Sequence, residues 1–270
     1  MQLPRNAFKH ALEERRLQIG LWSQLTTGLA AELLARAGFD WIVIDTEHSP
    51  TEVPAVLHQL QALAPSESSP VVRVAWNDPV LIKRILDIGA QTVLVPFIET
   101  AEDAEKAVAA TRYPPLGIRG VATSHRANQF GRIDNYLHIA AGEICVLVQI
   151  ETRRGLENAA AIASVAGVDG VFVGPSDLSG SLGHLGDPNH PEVREAVAAI
   201  HAAVGGAGKP IGTLAPVEED ARRYIDMGFT FVAVGSDVGV LARHTDALAR
   251  SFAGARDRQH ARFAETDRAS

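Results

Sequence analysis

The chain has 270 residues, 46% hydrophobic and 21% charged, enough for one large α/β domain with a full core. A net charge of −7 and a pI near 5.8 argue against a nucleic-acid partner, which calls for a basic face. No apolar run approaches the roughly 20 residues that span a bilayer, and the N-terminus lacks the apolar middle of an export signal. The single cysteine, Cys145, makes no intrachain disulfide, which fits a reducing cytoplasm.

The first strand pattern, 18–21, is followed by Trp22 and Gln24 and by a helical pattern over 28–37. The second, 41–44, runs straight into Asp45, Glu47 and His48, ahead of a helix over 53–64. The third, 70–75, is interrupted by Arg73 and leads to a helix over 79–88 that carries Asp87. A fourth strand, 92–97, and a helix, 101–111, precede a long connection, 113–142, containing Pro-Pro-Leu-Gly-Ile-Arg-Gly. The fifth, 144–150, carries Gln149 and stops before Glu151, with a helix over 155–163. The sixth, 170–173, gives way to Gly174, Ser176 and Asp177, then to a Gly-, His- and Pro-rich connection over 179–191 and a helix over 191–203. A seventh strand, 210–214, a helix over 217–227 and an eighth strand, 229–234, lead to Ser236 and Asp237. Beyond Phe252 the periodicity fades, and a frayed tail is expected from about 253 to 270.

Most of these strands are short, β-branched and continuously apolar, as befits strands covered on both faces. Eight of them separated by helices predict a (β/α)8 barrel forming a single domain over 1–270, ahead of an open doubly wound sheet. Ala-Gly-Phe-Asp, Ile-Gly-Ala-Gln, Ala-Gly-Val-Asp and Met-Gly-Phe-Thr each read as a helix C-terminus leading at once into a strand. These four junctions belong at the bottom of the barrel, so the strand ends form the top, where barrel active sites lie. Both long connections are expected at the top as well.

Convergence of strand-end residues on one rim is what a catalytic site needs. Glu151 and Asp177, without nearby cysteine or paired histidine, suit an oxygen-preferring divalent ion such as Mg²⁺ or Mn²⁺. They read equally as partners of Arg153 or Arg154, and Asp177 as a helix cap. His48 is either a surface loop residue or a proton carrier titrating near neutrality. Asp87 is either its orienting partner or a solvated helix residue. Arg73 either faces the mouth, where a guanidinium would hold an enolate oxygen or a carboxylate, or pairs with a core acid. None of the four lysines, Lys9, Lys83, Lys106 and Lys209, is placed for Schiff-base chemistry at the top. No glycine-rich fingerprint opens a helix after the first strand, which disfavours a nicotinamide cofactor.

The segments Val-Ile-Asp-Thr-Glu-His-Ser-Pro (43–50), Val-Arg-Val (72–74), Leu-Asp-Ile-Gly-Ala-Gln (86–91), Gly-Ile-Arg-Gly (117–120), Val-Gln-Ile-Glu-Thr (148–152) and Val-Gly-Pro-Ser-Asp-Leu-Ser (173–179) together resemble the HpcH/HpaI aldolase family of metal-dependent pyruvate aldolases. The resemblance covers about residues 20–240. It implies a TIM barrel of the phosphoenolpyruvate/pyruvate type and a homo-oligomer, a hexamer or a dimer, with an exchanged C-terminal helix. It further implies a divalent metal (Mg²⁺, Mn²⁺ or Co²⁺) on Glu151 and Asp177, His48 as base paired with Asp87, Arg73 on the enolate oxygen, and Asp45 tied to solvent near the metal. Gln149 would line the pyruvate pocket and the amides around Ser176 would meet the pyruvate carboxylate, with Trp22, Gly174 and Leu214 also lining the site. The implied reaction forms or cleaves a 4-hydroxy-2-oxoacid through pyruvate and an aldehyde. A lyase acting on a CoA thioester and a non-catalytic metabolite-binding barrel are the rival readings. Acceptor specificity is expected from Arg119, Ser124, His125 and Leu214.

Overall fold

The computed structural model describes residues 1–254. Eight strands, β1 (Gln18–Ser23), β2 (Trp41–Asp45), β3 (Ser69–Arg73), β4 (Thr92–Val95), β5 (Cys145–Ile150), β6 (Gly170–Val173), β7 (Ile211–Leu214) and β8 (Phe231–Ser236), pair in sequence order, and β8 returns to β1 in parallel register. Closure excludes the open doubly wound sheet. Twelve helices accompany them: α1 (Ala7–Glu13), α2 (Gly28–Ala35), α3 (Val53–Leu63), α4 (Pro79–Asp87), α5 (Ala101–Thr111), α6 (Tyr136–Glu143), α7 (Arg153–Glu157), α8 (Ala159–Ala163), α9 (Pro175–Ser181), α10 (Pro191–Gly206), α11 (Glu218–Asp226) and α12 (Asp237–Ser251). None is long and apolar enough to cross a membrane.

Two apolar layers form because alternate strand residues face opposite ways. Inward-pointing Trp22, Trp41, Val43, Val71, Leu94, Leu147, Phe172 and Phe231 fill the barrel. Outward-pointing Ile42, Ile44, Val72, Val93, Val146, Val148 and Val171 meet the helices. The sequence pattern missed α1, which sends Phe8 and Leu12 into the inner layer, Phe8 packing against Trp41 (5.4 Å) and Phe231 (5.9 Å). It plugs the end opposite the strand tips. At the four helix-to-strand junctions Gly38, Gly89, Gly167 and Gly228 have φ between 89° and 102°, the left-handed conformation that favours glycine.

Two expectations change, and a third lies outside what the structure describes. The helix expected over 155–163 is two short ones, because Asn158 donates its side-chain amide to the carbonyls of Glu99 and Arg154 at the break. The connection after Tyr113 follows a helix, α5, and precedes β5, so it lies at the bottom of the barrel, not the top. It also contains a 3₁₀ turn (Arg126–Asn128) and α6. The tail expected from about 253 onward falls almost wholly outside the described residues.

Candidate active site

Register does the first part of the assembly. Asp45, last residue of β2, pairs directly with Arg73, last residue of β3. Arg73 donates from Nε to Asp45 Oδ1 (2.9 Å) and from Nη2 to Oδ2 (2.7 Å), while Nη1 lies 2.9 Å from Glu47 Oε2. The mouth and the acid-pair alternatives for Arg73 therefore both hold. Trp22 adds a hydrogen bond from Nε1 to Asp45 Oδ2 (3.2 Å) and a ring face 5.1 Å from the guanidinium carbon. Burial works to raise the Asp45 pKa, but Arg73 and the Glu47 and His48 amides outweigh it and hold the carboxyl below its ordinary value. Asp45 is a fixed anion that locks Arg73 in one orientation.

The second half stands on β5 and β6. Glu151, 1% exposed, takes the Phe97 amide at Oε1 (2.8 Å) and the Gln149 side-chain amide at Oε2. Phe97 donates from a left-handed backbone (φ 52°), an unfavourable conformation for an aromatic residue held at the functional rim. The close approach of β6 is possible only because residue 174 is glycine: a Cβ there would stand 2.7 Å from Glu151 Oε2 and 3.3 Å from Gln149 Nε2. Gly174 leads into α9, whose first turn presents Ser176 and Asp177, both solvent-facing.

The carboxylates feel one another. Burial first, then repulsion from Asp45 and Asp177 acting against the attraction of Arg73, pushes Glu47 up to about 7. Burial likewise pushes Glu151 to about 7, with the charges of Glu47 and Asp177 adding to it against the Gln149 and Phe97 hydrogen bonds. Glu47 Oε2 and Gln149 Oε1 are buried without a hydrogen-bond partner. Three mutually repelling carboxylates beside these two orphaned oxygens make a donor set of the kind hard divalent cations take. Glu47 was legible only as a rim residue; its strand-end position gave no sign that it would share Arg73.

Trp22, Asp45, His48, Arg73, Gln149, Glu151, Gly174, Ser176, Asp177 and Leu214 all come from strand tops or the turns that follow. His48 stands at the edge, its side chain 55% exposed and Nε2 3.8 Å from Glu47 Oε1. Asp87 departs from expectation. It ends α4 at the far end of the barrel, where Oδ1 accepts from Arg119 Nη2 (2.7 Å), and no hydrogen bond or ion pair joins it to His48 within the chain. Arg119, fully buried against the Tyr113 ring (4.6 Å), and His125, 3.4 Å from the Tyr113 hydroxyl, belong to that distal cluster too. Of the residues expected to set acceptor specificity, only Leu214 reaches this chain's own mouth. Lys9 and Lys209 bond bottom carbonyls, of Ile144 and Val168, and Lys83 and Lys106 sit on α4 and α5, so no lysine stands at the rim.

A closed parallel barrel whose strand tips gather carboxylates around a clamped arginine defines an α/β-barrel lyase site. The profile of the HpcH/HpaI aldolase/citrate lyase family matches residues 18–244, and the chain belongs to that family. It is 55% identical over 247 residues to a 5-keto-4-deoxy-D-glucarate aldolase of Citrobacter koseri, covering 92% of this chain and 96% of that one. A crystal structure of an HpcH/HpaI aldolase/citrate lyase family protein from Burkholderia cenocepacia J2315 superposes with a TM-score of 0.89 at 43% identity, over 91% of this chain and 98% of the other. An HpcH/HpaI aldolase from Desulfitobacterium hafniense DCB-2 gives 0.85 at 27% identity, over 90% and 95%. The chain is a carbon–carbon lyase of the aldolase type.

Proposed function

We propose that the chain cleaves 5-keto-4-deoxy-D-glucarate to pyruvate and tartronate semialdehyde, using a divalent cation held by Glu151 and Asp177. The observation that carries this reading is a mouth that sets the Arg73–Glu47 ion pair and buried Glu151 at strand tips, with Asp177 on the first turn after β6, in a chain 55% identical to an aldolase named for that substrate. Counted from the carboxyl beside its oxo group, the substrate is a 4-hydroxy-2-oxo-3-deoxy diacid, and a divalent cation, when bound, would supply Lewis-acid polarisation of that 2-oxo group.

The chain's own residues supply the rest. Arg73 has five N–H donors, gives two to Asp45 in hydrogen bonds and sets Nη1 against Glu47 in an ion pair; those left over face the oxyanion that develops as the C3–C4 bond breaks. His48, at the edge, takes the 4-hydroxyl proton, so C4 leaves as the aldehyde and the bonding pair passes to C3. Protonation of C3 completes pyruvate. The unpaired first-turn amides of Ser176 and Asp177 receive the pyruvate carboxylate, and Gln149 fixes Glu151 beside it. Trp22 and Leu214 close the apolar wall. The substrate reading is tested by comparing 5-keto-4-deoxy-D-glucarate with a 4-hydroxy-2-oxoacid lacking the terminal carboxylate. A preference of at least about tenfold in kcat/KM supports it, and equal values for both refute it.

The active form is a homo-oligomer of this chain. In α12 only Asp237 is buried, while Val238, Val240, Leu241 and Leu248 lie 40–62% exposed. A 15-residue helix with unpartnered apolar side chains supports exchange with a second copy.

A further inference from the structure

Outside the mouth, His184, His190 and Glu192 bring two imidazoles and a carboxylate together where the loop after α9 enters α10. Their ligating atoms all lie within 4.8 Å of one another, and no other group of three such side chains among the described residues is so close. His184 Nε2 stands 2.8 Å from Glu192 Oε2, and the two imidazole rings stack with centroids 3.4 Å apart. The loop holds them there. The His184 amide donates to Ser179 O (2.7 Å), Asp187 N to His184 O (2.9 Å) and His190 N to Asp187 O (3.2 Å), with Gly183 and Gly186 in left-handed turns. His190 Nδ1 accepts the Glu192 amide (3.3 Å) as the cap of α10. That cap explains one nitrogen of one ring; it does not explain why a second imidazole converges on the same carboxylate.

We infer that His184, His190 and Glu192 form a binding site for a nitrogen-preferring divalent ion such as Zn²⁺, separate from the all-oxygen mouth. Two imidazoles and one carboxylate are the donor set of open zinc sites, with a further position left for water. Zn–N bonds of about 2.0–2.1 Å place tetrahedral donors about 3.3 Å apart, so donors now within 4.8 Å of one another close on an ion by shifts of up to about 1.5 Å, one of the two stacked rings turning from their 15° interplanar angle so that both nitrogen lone pairs meet it. His184 is 24% and Glu192 46% exposed, which leaves an entry path. Arg153 Nη2, 3.4 Å from Glu192 Oε1, occupies the other carboxylate oxygen and orients the ligand, as outer partners of metal ligands do. Imidazole donors favour Zn²⁺, Co²⁺ or Ni²⁺ strongly over Mg²⁺, whereas an all-oxygen site still accepts Mg²⁺, so Mg²⁺ at saturating concentration fills the mouth and leaves the imidazoles open. An ion here ties the loop behind Asp177 to the start of α10.

The test uses untagged full-length protein stripped with chelator and then saturated with Mg²⁺ to fill the mouth. Calorimetric titration with Zn²⁺ is expected to show one further ion per chain, and Co²⁺ to give the visible absorption of four- or five-coordinate nitrogen–oxygen ligation. H184A/H190A is expected to lose both signals while keeping Mg²⁺-supported aldolase activity. Glu192→Gln, a smaller change, is expected to weaken Zn²⁺ binding at least tenfold in protein of unchanged circular dichroism. No Zn²⁺ uptake after Mg²⁺ saturation, or uptake and spectra unchanged in either variant, would overturn the assignment.

Discussion

Arg73 and Asp45 set the behaviour of the mouth. Their paired hydrogen bonds are almost wholly buried, with side chains 8% and 0% exposed, so removing one partner strands a charge in a poorly solvated place. Asp45→Ala is expected to cost about 3–5 kcal/mol in urea unfolding. Arg73→Lys keeps the charge but loses the planar fork; kcat is expected to fall about 100-fold with the unfolding midpoint changing far less than in Asp45→Ala. Glu151→Gln and Asp177→Ala are each expected to abolish Mg²⁺ binding by calorimetry. The residues at strand tips were legible because strand ends are sharply marked in sequence: an apolar run stops and a charged residue stands there. The role of Glu47 and the strained Phe97 were not, since both depend on which strands become neighbours. Asp87 stands apart from His48 within this chain for a related reason: it closes α4, and a helix following a strand carries its end to the bottom.

At the scale of elements, α12 is the one whose sequence and surroundings disagree. Among the described residues its apolar side chains Val238, Val240, Leu241 and Leu248 stay 40–62% exposed, while its first residue is firmly held: Asp237 accepts from the Gln24 amide (2.9 Å), the Leu25 amide (3.0 Å) and Ser23 Oγ (3.3 Å). The helix is therefore anchored to the rim at one end and bare along its length. L241D/L248D is expected to convert the oligomer to monomer in size-exclusion chromatography with light scattering, leaving the circular dichroism of the barrel in place. Eight strands and most helices were readable from continuous apolar runs and glycine-marked helix ends. The plug helix α1 was not, because a single Phe8 and Leu12 pair gives too short a period to distinguish it from a loop. The break in α7–α8 depended on a side-chain hydrogen bond from Asn158, which no pattern encodes.

For the whole molecule, the proposed cation site makes stability depend on pH and on metal. Glu47 and Glu151 rise from an ordinary 4.5 to about 7 on folding. Between those values the folded chain retains protons that the unfolded chain has released, so metal-free protein is expected to lose stability as pH rises from about 5 to about 7. Asp45, shifted downward, acts in the opposite sense and only in stronger acid. A cation at a hundred times its Kd adds about 2.7 kcal/mol, or roughly 5–10 °C in Tm for a chain of this size, with the gain shrinking as pH falls through about 7 and the ligands protonate. Differential scanning calorimetry at pH 5 and 7.5, with and without Mn²⁺, reads both effects.

The most direct measurement is exchange of the pyruvate methyl protons with deuterium, followed by NMR in the absence of any aldehyde, since it isolates proton transfer at C3 from acceptor chemistry. Metal-loaded protein is expected to exchange them, and chelation or Asp177→Ala to slow exchange at least about 100-fold. Exchange at the same rate after chelation and in Asp177→Ala would contradict the assignment of the Glu151–Asp177 mouth as the catalytic centre.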